Sequence, residues 1–176
     1  MTCHLQGKRS HCASVRICAI VTTVASFFLV LTVSPAAAET TAVTTDATLM
    51  RQLASELNLA RREAGQPGLR YSPGLAAAAA ARARVLAAQG WANNPLAGTA
   101  LRRTVRQFYG AGSSWRAGET VLWADGKICG SAVVYYWMDK LRDKTTVMSS
   151  HWTEAGIAAV RANGDTFVVV EYGTRS

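Results

Sequence analysis

Near the C-terminal end, two apolar runs, Ala155–Arg161 and Thr166–Tyr172, flank Asn163-Gly164. Asn-Gly between strand-forming runs is the strongest short-range hairpin signal a sequence carries. A third run, Gly118-Glu119-Thr120-Val121-Leu122-Trp123-Ala124, reads as a short buried strand stopped by Asp125-Gly126. These runs set an antiparallel sheet, and the remaining chain must supply its cover. One detail is unusual. Glu119 is the first acid since Glu63, and it opens an apolar strand. Burying a carboxylate without partners is costly, so Glu119 is either an exposed strand-end charge or a group aimed at partners in a cleft.

The cover is helical. Asp46 is a candidate N-cap, and Leu49, Leu53, Leu57 and Ala60 then give an amphipathic helix over 46–63. Gly65 terminates it and Gln66-Pro67-Gly68 turns the chain. Leu69 and Tyr71 extend briefly. Ser72-Pro73 starts a second helix, running to about Gln89 and holding six consecutive alanines, Ala76–Ala81. Alanine lets backbones approach, so that helix is expected to pack closely on a neighbour. From Gly90 to Arg116 the chain reads as irregular, with a turn at Asn93-Asn94-Pro95, a short helix over Leu101–Phe108 and a Gly/Ser loop over Tyr109–Ser114. A further helix over Ser131–Leu141 places Val133, Val134, Trp137 and Leu141 on one face, and Thr145–Ser150 reads as loop. The class this order predicts is α+β, a small antiparallel sheet flanked by helices.

The chain has 176 residues, and its first 38 resemble a secretory signal. Lys8, Arg9 and Arg16 form a basic, acid-free start. The apolar run Ile17–Val33 follows, and Pro35-Ala36-Ala37-Ala38 offers a small-residue cleavage site. The run is shorter than the ~20 residues a spanning helix needs, so cleavage is expected rather than anchoring. Residues 39–45 read as a flexible Thr/Ala-rich tether and 46–176 as one domain. Removal of the leader takes three of the four cysteines and two of the three histidines, leaving Cys129 and His151. An exported domain with one cysteine has no internal disulfide and depends on its apolar core. What remains carries 16 basic and 11 acidic residues, a net +5.

The charge is unevenly spread. Between Ala64 and Gly118 there are seven arginines (70, 82, 84, 102, 103, 106 and 116) and no acid. Most such runs are solvated faces. The sharper expectation is a surface for anionic material, centred on Arg102, Arg103, Arg106 and Arg116, because the guanidinium forks onto phosphate and carboxylate. Trp91, Trp115 and Tyr109 interleave with these arginines and are candidates to stack on sugar rings or sit at a lipid interface. Nucleic acid matches the charge, but no binding motif accompanies it.

Four blocks resemble the CAP superfamily (cysteine-rich secretory proteins, venom antigen 5 and plant pathogenesis-related class 1 proteins) in its secreted bacterial form. They are Leu57-Asn58-x-x-Arg61-x-x-x-Gly65 with Leu69, Tyr71, Pro73 and Leu75; Gly118-Glu119-Thr120; Trp137-Met138; and Thr153-Glu154-Ala155-Gly156-Ile157-Ala158 with Val169–Gly173. The resemblance implies an α-β-α sandwich of three layers. It also implies a cleft lined by two histidines and acidic residues, sometimes holding a divalent metal. Residue by residue, Glu119 takes the place of the strand glutamate, Asp143 that of the second histidine, and Asn93 or Asn94 that of the first. The second acidic position is unassigned.

Both cleft histidines are thus replaced. Zinc sites want His or Cys ligands, and one of each does not make a two-histidine site, so no zinc is expected. Asn93, Glu119 and Asp143 would be an oxygen-only set suited at most to Ca²⁺ or Mg²⁺, which usually take more ligands. His151 borders the cleft pattern and is read as structural or surface. Cys129 opens a helix, where a thiolate is favoured, yet no histidine is placed to activate it. The expectation is a secreted, non-catalytic domain with a histidine-less cleft that binds cell-envelope lipid, glycan or another anionic surface. The alternative is a hydrolase using Glu119 and Asp143 as an acid/base pair.

Overall fold

Asn163 and Gly164 both take positive φ, 55° and 85°, the turn geometry whose twist matches two antiparallel strands. In the computed structural model, which describes residues 42–91, 99–109 and 114–175, this turn joins β4 (Glu154–Ala162) to β5 (Asp165–Arg175). They pair from Ala162↔Asp165 to Glu154↔Gly173. On its other side β5 pairs antiparallel with β3 (Trp115–Asp125) along the whole of both strands. β3 thus begins at Trp115, not Gly118, because β5 continues to offer partners as far as Arg175. The far edge of β4 is shared by two short strands. β1 (Thr44–Thr45) is antiparallel to it and β2 (Arg70–Tyr71) parallel. Thr44 and Thr45 therefore belong to the sheet rather than to a free tether. The leader and residues up to 41 lie outside the described residues.

Helices cover both faces of the sheet. α1 (Ala47–Glu63) is capped as its sequence predicts, with Leu49 N–H donating to Asp46 Oδ1 at 2.9 Å. It packs beside α4 (Gly130–Asp139) and α5 (Leu141–Val147) on one face. Leu49, Leu53, Leu57, Val133, Trp137 and Val147 meet Leu122, Val168, Val170 and Tyr172 there. α2 (Pro73–Gln89) and α3 (Thr99–Tyr109) form the other layer. Ala79, Ala83 and Leu86 of α2 meet Phe167 and Val169, and Leu75 and Ala78 meet Val105 and Tyr109 of α3. Successive β5 residues point to opposite faces, and with both faces covered the strand reads as an unbroken apolar run. The alanine run lets α2 lie almost on β4. A Cβ on Gly156 would fall 2.0 Å from the backbone of Leu75 and Ala76.

Three helices depart from expectation. Lys140 is extended (φ −98°, ψ 116°), which ends α4 at Asp139. Leu141, expected on its apolar face, instead starts α5 and is 81% exposed. Residues 145–147, read as loop, belong to that helix. Thr145 and Thr146 hydroxyls donate to the carbonyls of Leu141 and Arg142, the back-bond that a threonine makes to its own helix when it sits inside one. Tyr109, read as loop, ends α3.

Candidate functional site

Alternation along β3 turns Glu119 toward α2, whose Arg82 meets it. Arg82 Nε donates to Glu119 Oε2 at 3.2 Å, and the two side chains are only 7% and 3% exposed. Directly across the ladder from Glu119 stands Glu171 of β5. It is fully buried, and neither carboxyl oxygen has a hydrogen-bond partner of standard geometry among the described residues. Its pKa is pushed up to about 9, first by burial and then by the negative charge of Glu119, with Arg82 pulling the other way. Glu171 is therefore a neutral acid at pH 7, and Arg82 and Glu119 balance one another. Glu171 is the partner that sequence reasoning missed. It sits inside a run read simply as a closing strand, and only its position two residues before Gly173, opposite Glu119, marks it.

Asp143 is elsewhere. It lies half-buried on α5, in the opposite layer, where burial raises its pKa and Arg142 lowers it. Its charge is among the causes that raise the pKa of the buried Tyr172 phenol, whose oxygen shares a 3.0 Å hydrogen bond with Thr120 Oγ1. Tyr172 and Glu171 are sequence neighbours, so they face opposite layers. The expected Glu119–Asp143 acid/base pair is thus replaced by Glu119 with Arg82 and Glu171. Asn93 lies outside the described residues. Among those described, no three His, Cys, Asp or Glu side chains gather as a metal would require. The residues described do not fit the cleft metal that the resemblance implies. Its strand carboxylate is already bonded to a guanidinium, and Asp143, standing for one of its histidines, belongs to the other layer. His151 is exposed in the loop before β4.

What the fold does gather is the arginine set. α3 is sharply two-sided: Val105 and Tyr109 are buried, while Arg102, Arg103 and Arg106 are exposed. These three form one wall of a groove of about 810 Å³, with Arg116, Trp115 and Trp152 lining the rest. A smaller hollow of about 220 Å³ adjoins it, sharing Trp115 and Arg116 and lined also by Ser114, His151 and Thr174. None of the four arginines has a carboxylate partner among the described residues.

Trp152, which sequence reasoning did not single out, is held firmly in this groove. Its indole N–H donates to the Thr146 carbonyl at 2.8 Å. Its ring stacks on Tyr172 with centroids 6.2 Å apart. The ring also lies over Gly118, where a Cβ would come within 2.7 Å of it, and that contact is the physical reason for glycine in the Gly118-Glu119-Thr120 block. Trp115 is half-buried against Val105 and Leu75. Of the other expected aromatics, Tyr109 is not on this surface. It is buried, donating to Glu154 Oε2 at 2.9 Å beneath the Arg175 guanidinium. Trp91 is 37% exposed and lines neither hollow.

A separate apolar hollow of about 330 Å³ lies between α1 and the β2–β4 edge. Its one amide, Asn58, is occupied with both backbone groups of Leu69. It brings no acid or nucleophile together.

A family model described as the cysteine-rich secretory protein family, CAP, matches residues 54–172. The chain belongs to the CAP family. Among curated proteins, none matches its sequence. Solved structures share the CAP fold. One is an outer surface protein of Borrelia burgdorferi, 18% identical with a TM-score of 0.59, covering 76% of this chain and 98% of that one. Another is an extracellular protein containing an SCP domain from Bacillus anthracis, 18% identical with a TM-score of 0.55, covering 70% and 39%. A third is a cysteine-rich secretory protein of Staphylococcus aureus, 15% identical with a TM-score of 0.55, covering 70% and 38%. The chain thus spans well under half of the latter two. This CAP domain has the three-layer sandwich and sets Glu119 into a buried Arg–Glu–Glu cluster with Arg82 and Glu171. No helix among the described residues is long and apolar enough to cross a membrane.

Proposed function

We propose that this CAP domain is exported and binds anionic cell-envelope material, and that it does so without catalysis or a resident metal. The observation that carries the reading is the groove: four exposed arginines and two half-buried tryptophans converge on one concavity that no acid among the described residues lines. A guanidinium row of this kind attracts phosphate or carboxylate and rejects cationic or neutral surfaces. Export is supported by the leader-like first 38 residues and by the company of extracellular and outer-surface proteins of the same fold. The rival hydrolase needs a carboxylate that reaches substrate, and the Glu119 side chain is 3% exposed and already bonded to Arg82.

Two substitutions separate the readings. Arg102→Glu with Arg106→Glu should weaken retention on anionic vesicles or polyanions by at least roughly tenfold at low salt, and wild-type binding should fade as salt rises. Glu119→Gln should leave that retention nearly intact. Loss of a measurable turnover in the Glu119→Gln protein would reinstate the enzyme.

A further inference from the structure

We infer that the groove takes a linear acidic glycan, a sugar chain carrying carboxylate or phosphate along its length. The inference rests on the reading of this face as anion-binding and narrows it to one ligand class.

The first ground is shape. The 810 Å³ and 220 Å³ hollows share Trp115 and Arg116, so they adjoin one another at the start of β3. Isolated anions are satisfied by one forked guanidinium. Here the cations are strung out: Arg102 and Arg106 stand one helical turn apart, about 6 Å along the α3 axis, and Arg116 lies on β3. Charges repeated along a groove fit charges repeated along a chain.

The second ground is the floor. A carboxylate or phosphate has no use for an indole, yet two indoles line the groove. They are fixed in advance: Trp152 by its N–H bond to Thr146, its stack on Tyr172 and its contact with Gly118, and Trp115 by its packing against α2 and α3. Preformed flat apolar surfaces bind rings without an ordering cost. A pyranose offers such a face through its C–H groups, with polar groups at its rim for the arginines.

The same features argue against a bilayer. Tryptophans that anchor to membranes stand proud of the surface and turn their N–H to the headgroup layer. Here both are half-buried in a concavity, and the Trp152 N–H is already bonded within the protein. Bases of single-stranded nucleic acid also stack on aromatic floors, and the test is built to expose that outcome.

The probes for the purified protein are oligouronates of two to twelve units, poly-L-glutamate of matched charge, neutral dextran, phosphatidylglycerol vesicles and oligothymidylate. Binding is read by tryptophan fluorescence and calorimetry. Oligouronate affinity should climb with length and level off once the groove is filled. Poly-L-glutamate should bind roughly tenfold more weakly, since it lacks rings to stack. Trp115→Leu should close most of that gap by weakening oligouronate alone, with circular dichroism checking its fold. Equal binding of poly-L-glutamate, vesicles or oligothymidylate by the wild-type protein would overturn the glycan assignment and leave the anion-binding face standing. If no polyanion binds, the face itself is misread. Because the wild-type comparison needs no substitution, the result does not depend on any variant folding.

Discussion

Glu171 sets the pH behaviour of the domain. In the unfolded chain its carboxyl ionises near its ordinary 4.5, and in the folded protein not until about 9. Its pKa is raised by folding, so the stability tied to its neutral form is complete below about 4.5. That stability is lost steadily as pH climbs toward 9. Glu171→Gln keeps the shape and removes the titration. The variant should melt several degrees above the wild type at pH 8, and the gap should shrink toward nothing at pH 4, as followed by circular dichroism. A variant less stable at every pH would mean that the carboxyl makes an essential bond in its place. The neighbouring ion pair obeys a different rule. Removing one member of a buried pair strands the other, a loss of about 3–5 kcal/mol, and Arg82→Met should show it in denaturant melts. Glu119→Gln should cost clearly less. With its like-charged neighbour gone, Glu171 can ionise and take over the balancing of Arg82.

Among the elements, two glycines measure how tightly the layers are locked. A Cβ at Gly118 meets the Trp152 ring first, whereas one at Gly156 meets the α2 backbone at 2.0 Å. Overpacking against a side chain costs about 1–3 kcal/mol, so Gly118→Ala should fold, melt lower and shift the fluorescence of the displaced indole. Gly156→Ala must move a whole helix and should be the more damaging of the two in the same melting assay. The elements also show what a sequence makes legible. The hairpin turn, α1 and α2 were readable to within a residue or two, because caps, period and turn chemistry agree at Asp46, Ser72-Pro73 and Asn163-Gly164. α5 was not, because Thr145 and Thr146 are weak helix formers. The start of β3 was hidden because its pairing depends on β5 extending to Arg175, a long-range fact. At the site, Glu119 and the four groove arginines were visible by their charge. Glu171 and Trp152 were hidden, since each matters only through what tertiary structure sets opposite it.

At the scale of the whole molecule, positive charge is segregated and cheaply held only when something answers it. The buried cluster beneath β3 and β5 is balanced internally: Arg82 cancels Glu119 and Glu171 is neutral. The groove is not balanced, because Arg102, Arg103, Arg106 and Arg116 repel one another across one concavity with no acid among its described lining residues. Such repulsion acts over about a Debye length, roughly 10 Å at 0.1 M salt and 30 Å at 0.01 M, so the free protein should be strained most at low salt. Its melting temperature should therefore rise as sodium chloride goes from 0.01 to 0.3 M. A variant with Gln at 102, 103 and 106 should start higher and respond little. The two should differ oppositely toward ligand: a saturating polyanion that prefers the folded state raises the wild-type melting temperature through its binding free energy and leaves the glutamine variant nearly unmoved. Salt raising both proteins alike would place the strain elsewhere. A wild type insensitive to salt would show that the arginines are already neutralised within the fold, which would remove the reason for a ligand at this face.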